Sequence, residues 1–184
     1  MPRRFDARSL AVMRRLLVIL VLCLQAHFLA GESSATDHAF LERLGGSWIL
    51  RGTLAGKVTT HDVTAAWILD GLYLELHERS READDKNKPL YEAVVLLGAD
   101  PTTGEYQCLW LDSTGGGGLT PTAFGRGKRV GDSIPFLFRD ADGTVSFSNV
   151  FSYDTDGQGW TWQLDNVRKD GTRVPFGRVR LTRQ

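Results

Sequence analysis

The chain has 184 residues, and its 22 basic and 22 acidic side chains give a formal net charge of zero. Its two cysteines are Cys108 and Cys23, and the latter falls in a segment that we expect to be removed. One remaining cysteine excludes an intrachain disulfide, so the stability of the folded protein must come from its hydrophobic core.

Residues 1–35 are predicted to form a secretory signal peptide. Five arginines precede or border an apolar run at 16–24, which is shorter than the roughly 20 residues that span a bilayer. A basic head followed by a short apolar stretch is typical of an export signal, and a retained membrane anchor is the alternative. Ser33 and Ala35 satisfy the small-residue rule for cleavage after Ala35, with cleavage after Ala30 as the second choice.

Cleavage after Ala35 leaves residues 36–184, a normal length for one domain. The signal takes five arginines and two acids with it, which leaves 17 basic and 20 acidic side chains. This mild acidity argues against nucleic acid and anionic lipid as partners. We therefore expect an exported protein, periplasmic or secreted, without a stable membrane span after cleavage.

The mature chain is predicted to begin with a short helix, capped by Thr36 or Asp37, that runs through Leu44. Trp48 follows in Gly-Ser-Trp at the head of the first strand. From there the sequence reads as about ten short strands with Gly, Asp and Pro turns at regular spacing, which is typical of a sandwich or barrel. We predict an all-β fold, a roughly ten-stranded antiparallel barrel. The apolar face of the helix holds Phe40, Leu41 and Leu44.

Two-residue turns fix the expected strand pairing. The turn at 70–71 pairs Trp67 with Leu74, and Asp62 with Arg79 as a cross-strand ion pair. The hairpin then has one apolar and one polar face, as a half-buried hairpin needs.

The Asp-Gly turns at 142–143 and 156–157 assign the strand between them to the same face. Both place Phe147 and Asn149 inward, and Ser146 and Ser148 outward. The agreement of two independent turns supports this register.

A turn at 100–103 predicts a further hairpin with Tyr91 and Asp112 on its inward face. Its outward face is more apolar than a solvent face should be, so either the N-terminal helix or a second subunit covers it. A homodimer would use this apolar stripe, which consists of Val94, Leu96, Leu109 and Leu111.

Most inward side chains are aliphatic or aromatic, and a small barrel can be filled by them entirely. Polar side chains also fall inward, and buried polar groups need partners, water or a ligand. An aromatic-lined cavity with a few convergent polar groups is typical of a small-molecule site. The alternative is that Asp112 and Asn166 sit at barrel ends and bond loop backbone. The candidate ligand-binding residues are Tyr106, Trp110, Asp112, Asn149, Phe151, Tyr153, Trp160, Trp162 and Asn166.

The facing of the last strand is left open by the sequence. A two-residue turn at 170–171 puts Val179 and Leu181 inward and Arg178 and Arg180 outward. A three-residue loop instead puts Arg178 and Arg180 inside, where they would stack on indole rings.

Motifs for metals, phosphates and catalysis are weak. His61 and His77 fall on opposite faces of one hairpin, so we expect no shared metal site. The acidic pairs at 140–142 and 154–156 fit turns better than calcium loops. Four glycines at 115–118 lack a following Lys-Ser/Thr, so we interpret them as a mobile rim loop or lid rather than a phosphate cradle. Cys108 falls inward, which favours a buried, inert thiol. We predict no catalytic residue, metal or cofactor from these motifs.

The chain resembles a family of small exported bacterial domains of unknown function that have a lipocalin-like, or calycin-like, barrel. The resemblance is carried by Gly46-Ser47-Trp48, by 67–74, by 97–106 and by Trp110-Leu111-Asp112-Ser113, and it covers nearly all of the mature chain. It implies a roughly ten-stranded barrel and brings no assigned activity. In such barrels an arginine of the last strand often covers the first-strand tryptophan, which implies Arg178 or Arg180 over Trp48.

Some barrels of related shape bind haem through a histidine near the C-terminus. This chain has no histidine after His77, which argues against haem.

Three functions remain open from the sequence. The first is an exported barrel that binds a small apolar or amphipathic molecule. The second is an enzyme for a small hydrophobic substrate with Asp112 as general acid or base. The third is a filled barrel that works as a protein-interaction module through its apolar stripe.

Overall fold

The computed structural model describes residues 38–114 and 118–184 as ten antiparallel strands closed into one barrel. Each strand pairs with its neighbours in the chain, and the first strand pairs with the last. The predicted all-β ten-stranded barrel with a short helix at its N-terminal side is confirmed. The predicted signal peptide, its cleavage site, the helix caps at 36–37 and the glycines 115–117 lie outside the described residues.

The helix covers residues 38–42 of the described chain, and a turn of 3₁₀ helix, Pro121–Ala123, precedes the sixth strand. No helix within 38–114 and 118–184 is long and apolar enough to cross a membrane. The strands are β1 Gly46–Leu54, β2 Lys57–Ile68, β3 Tyr73–Ser80, β4 Glu92–Ala99, β5 Tyr106–Asp112, β6 Phe124–Gly127, β7 Ser133–Arg139, β8 Val145–Asp154, β9 Gly159–Val167 and β10 Arg173–Arg183.

The register predicted for the β2–β3 hairpin is confirmed. Trp67 lies opposite Leu74, and Asp62 lies opposite Arg79. The predicted ion pair is different, however, because the Asp62 carboxylate binds the guanidinium of Arg81 at 2.6 Å. This contact contributes to holding the pKa of Asp62 below its ordinary value.

The β7–β8 connection differs by one residue from the predicted two-residue turn. It is a three-residue loop in which Gly143 has a φ of 84° and the Thr144 N–H donates to Asp142 Oδ1 at 2.9 Å. A bulge then restores the predicted pairing of Phe138 with Phe147. Because the bulge adds a residue, Ser146 faces the barrel interior, and its predicted outward placement is wrong.

The β9–β10 connection also combines a three-residue loop with a bulge, and together they determine which side chains of the last strand point inward. The loop has three residues, with Gly171 at a φ of 82°, so the strand begins in the register that would turn Arg178 inward. A bulge between Pro175 and Gly177 shifts the register by one. Val179 therefore faces inward and is buried, and Arg178 and Arg180 bind Asp165 and Asp154 on the outer face.

One end of the barrel is closed by the helix. Phe40 packs edge-on against Tyr106 and Trp160, with ring centroids 6.5 and 5.4 Å apart. The Trp48 indole N–H donates to the carbonyl of Leu44 at 2.7 Å. The helix face predicted to be buried is therefore inserted into the barrel end; its residues Phe40, Leu41 and Leu44 are all fully buried.

The guanidinium that covers Trp48 belongs to Arg183, 4.2 Å from the ring centroid. The expectation that Arg178 or Arg180 does so is wrong, because the bulge in β10 leaves both on the outer face. Arg183 also donates to the carbonyls of Gly45 and Arg43, at 2.7 and 3.2 Å. It thereby links the last strand to the end of the helix.

The apolar stripe faces outward, as predicted, on β4 and β5. Leu96 pairs with Leu109, and Val94 pairs with Leu111. The described part of the helix contacts the interior of the closed end, so the expectation that the helix covers the stripe is wrong. A homodimer through this stripe stays a prediction.

We predict that Arg183→Ala lowers the free energy of unfolding by about 1–2 kcal/mol, because it removes two hydrogen bonds from a charged donor and a cation–π contact. Arg180→Ala is the matched control on the same strand. It removes an exposed ion pair, which is worth about 1 kcal/mol or less. Urea unfolding followed by tryptophan fluorescence compares the two, and equal losses would contradict the role given to Arg183.

Candidate functional site

The end of the barrel opposite the helix opens into a cavity of about 630 Å³. This volume lies within the range of roughly 300–1,000 Å³ that is typical of small-molecule sites. The wall is mostly apolar and aromatic, and Phe176, the residue at the β10 bulge, lies beside the ring of Phe147 at the mouth. The barrel is therefore filled in its closed half and open in the other half.

The nine candidate ligand-binding residues divide between the two halves. Five of them line the cavity: Trp110, Asp112, Asn149, Trp162 and Asn166. Four do not line it: Tyr106, Phe151, Tyr153 and Trp160.

Three of the four that do not line the cavity, Tyr106, Tyr153 and Trp160, are part of the closed half. Trp160 packs against Phe40 of the helix, and Tyr153 packs edge-on against Trp160. Phe151 instead lies behind the cavity wall, where it stacks face to face against Trp162, with centroids 4.4 Å apart, and packs edge-on against Trp110. Strand alternation places these residues inward, but their depth along the barrel depends on the helix, which alternation does not report.

Asp112 and Asn166 both lie at the rim. Asp112 accepts hydrogen bonds from the backbone N–H and the hydroxyl of Thr114, so it caps the turn after β5. Asn166 is exposed to solvent near the end of β9. For Asp112, the alternative of a polar residue that bonds loop backbone is confirmed.

Three buried polar atoms of the described residues have no hydrogen-bond partner, and all three belong to residues that line the cavity. They are Glu78 Oε2, Asn149 Oδ1 and Trp162 Nε1. Two oxygens can accept a hydrogen bond, and the indole nitrogen can donate one. Each such group costs about 1–3 kcal/mol when it is buried without a partner. The described polar groups that lack partners are thus concentrated in the residues around this cavity.

A chain of hydrogen bonds runs beside the cavity from one carboxylate to another. His61 Nδ1 binds Glu78 Oε1, and both side chains are at most 3% exposed. His61 Nε2 lies 2.7 Å from the hydroxyl of Thr59, which donates to Glu82 Oε2 at 3.1 Å. A hydroxyl has one hydrogen, and Thr59 uses it for Glu82, so His61 Nε2 donates to the Thr59 oxygen.

The ring of Tyr91 stacks on His61, with centroids 5.4 Å apart, and its hydroxyl accepts the Trp110 N–H at 3.0 Å. Burial, followed by the negative charge of Glu78, raises the pKa of Tyr91 well above its ordinary value. The phenol is therefore neutral at physiological pH.

His61 and Glu78 were not predicted as site residues, although the sequence carries a signal for them. The turn at 70–71 places both side chains on the inward face of the β2–β3 hairpin. His61 was considered only as a metal ligand. Among the described residues no three His, Cys, Asp or Glu side chains are grouped closely enough to hold a metal ion. Burial raises the pKa of Cys108, which is consistent with an inert thiol.

Comparison of the chain with protein-family models gives no match, and comparison with curated proteins gives none.

We predict that Glu78→Met destabilises the protein by about 3–5 kcal/mol, because it leaves His61 buried without its carboxylate partner. The double variant His61→Phe with Glu78→Met removes both partners and should lose less than the sum of the two single variants. A double-mutant cycle from urea unfolding measures the coupling. Additive losses would show that the pair does not act as a unit.

Proposed function

We propose that this chain is an exported barrel that binds one small, largely apolar molecule in its open cavity. The observation that carries the proposal is the position of the three unpartnered polar atoms, which all belong to residues that line an otherwise apolar, aromatic cavity. In a barrel whose interior serves only as a packed core, unpartnered polar atoms would lower stability without any compensating contact. A bound molecule with one polar group supplies their partners and buries its apolar part against the wall.

The proposed assignment to calycin-like barrels is supported by two features. Ten antiparallel strands pair in simple chain order, and Trp48 at the start of β1 lies beneath an arginine of the last strand. The proposed export to the periplasm or the cell exterior is supported by the sequence alone, through the arginines and the apolar run at 16–24.

Binding is favoured over catalysis by the state of Asp112. Its carboxylate already accepts two hydrogen bonds from Thr114 and serves as a turn cap. The Thr59 hydroxyl, which lies next to a histidine, donates to Glu82 and is held by that contact. Asp112 therefore has a structural role as a turn cap, which accounts for its position without an acid–base function.

We predict that N-phenyl-1-naphthylamine, a neutral apolar fluorophore, binds the protein with a stoichiometry of one and gains fluorescence. Ser146→Trp should weaken this binding at least tenfold, because the indole fills the mouth of the cavity. Ser152→Trp is the matched control, since Ser152 lies on the same strand and pairs with Ser133 and Thr161 rather than lining the cavity. Absence of binding to the unchanged protein, or equal weakening by both variants, would contradict the proposal.

A further inference from the structure

The charged side chains that line the cavity are mostly acidic. The described residues that line it include three carboxylates, Glu78, Glu82 and Asp112, but no arginine. The groups that can carry positive charge there are His61 and Lys57. Lys57 is exposed at the start of β2, at the mouth. Acidic side chains therefore outnumber basic ones in the described wall of the cavity.

The negative charge reaches into the cavity and is not confined to the rim. Glu78 is 2% exposed, and only one of its two oxygens is used by His61. The other oxygen, Oε2, is buried and has no partner in the described part of the chain, and Glu78 lines the cavity. A buried carboxylate oxygen strongly favours a hydrogen-bond donor, and a cationic donor most of all.

Glu82 adds a second negative charge close to His61. Burial acts to raise its pKa, but hydrogen bonds from its own backbone N–H, from Thr60 and from Thr59 lower the pKa below its ordinary value overall. Glu82 is therefore ionised at neutral pH. The two hydrogen bonds from Thr60 and Thr59, at 3.0 and 3.1 Å, hold it in place.

The cavity walls are also suited to a cation. Tyr91, Trp110 and Trp162 line the cavity with aromatic rings. The faces of such rings attract ammonium groups by about 0.5–2 kcal/mol, depending on how dry the site is. Aromatic rings and carboxylates together would offset the cost of removing water from a cationic ligand in such a cavity.

We propose that the molecule bound in this cavity is an amphipathic amine, a protonated nitrogen on an apolar body, and that Glu78 Oε2 receives the ammonium hydrogen. This inference rests on the proposed binding function and adds the ligand class. It disfavours fatty acids and other apolar carboxylates, because the described wall holds three carboxylates and no arginine. Its basic groups are Lys57 at the mouth and His61, which already binds Glu78.

Three ligands that share one apolar body test the proposal: 1-naphthylmethylamine, 1-naphthylmethanol and 1-naphthoate. Displacement of N-phenyl-1-naphthylamine at neutral pH measures the affinity of each. We expect the amine to bind at least tenfold more tightly than the alcohol, and the carboxylate to bind more weakly than the alcohol. Isothermal titration calorimetry checks the stoichiometry of one.

Variants of single carboxylates locate the charge that selects the amine. Glu78→Gln should remove most of the preference for amine over alcohol. Glu92→Gln is the matched control, because Glu92 binds His77 on the outer face of the barrel. If Glu78→Gln does not fold, Asp112→Asn replaces it, since the amide oxygen can still accept from Thr114 and the rim charge alone is lost. It should reduce the preference about two- to fivefold.

The outcomes distinguish failure of the amine proposal from failure of the proposed binding function. Equal or tighter binding of the carboxylate, or an amine preference unchanged by both Glu78→Gln and Asp112→Asn, would overturn the amine proposal and leave the binding function standing. Failure of all three ligands and of the fluorophore to bind would overturn the binding function itself.

Discussion

The placement of Trp48 at one end of the barrel determines how the rest of the interior is used. Its indole is held between the Leu44 carbonyl and the Arg183 guanidinium, which fixes the helix end to the first and last strands. The helix then fills the barrel at that end with Phe40 and its neighbours. The interior of a ten-stranded barrel is wider than that of a smaller barrel, which side chains can fill completely. The helix fills this interior at one end only.

The open half is consequently the place where apolar burial is incomplete and polar groups collect. His61, Glu78, Asn149 and Trp162 are buried there, and three of their polar atoms have no partner among the described residues. Buried groups of this kind lower the stability of the free protein. The proposed binding function accounts for them, because a bound molecule would supply the missing partners.

Much of the fold could be predicted from the sequence because strand alternation and turn residues are local signals. The turns at 70–71 and 156–157 gave the correct partners for Trp67 and for Phe151. The loop at 141–143 was predicted one residue too short, and the choice between two and three residues was left open for the loop at 169–171. Asp-Gly-Thr also suits a three-residue loop in which the aspartate accepts the threonine N–H. Each loop is followed by a bulge, and bulges leave no comparably clear mark in the sequence.

The site was predicted less completely, for a different reason. Alternation reports whether a side chain faces inward, and it correctly brought Trp110, Asn149 and Trp162 to the interior. It does not report depth along the barrel, so Tyr106 and Trp160 were grouped with the cavity although they pack against the helix. His61 and Glu78 were overlooked because their pairing is diagonal across two strands and neither residue forms a motif with its sequence neighbours.

The five tryptophan indoles offer the most direct test of the central claim, that the open half binds a small molecule while the closed half is core. A ¹H–¹⁵N spectrum of the protein titrated with N-phenyl-1-naphthylamine reports on each indole N–H. The account predicts large shifts for Trp162, whose N–H has no partner among the described residues, and for Trp110. It predicts little change for Trp48 and Trp160, whose N–H groups donate to Leu44 and Arg43. Shifts confined to Trp48 and Trp160, or no shifts at saturating probe, would contradict it.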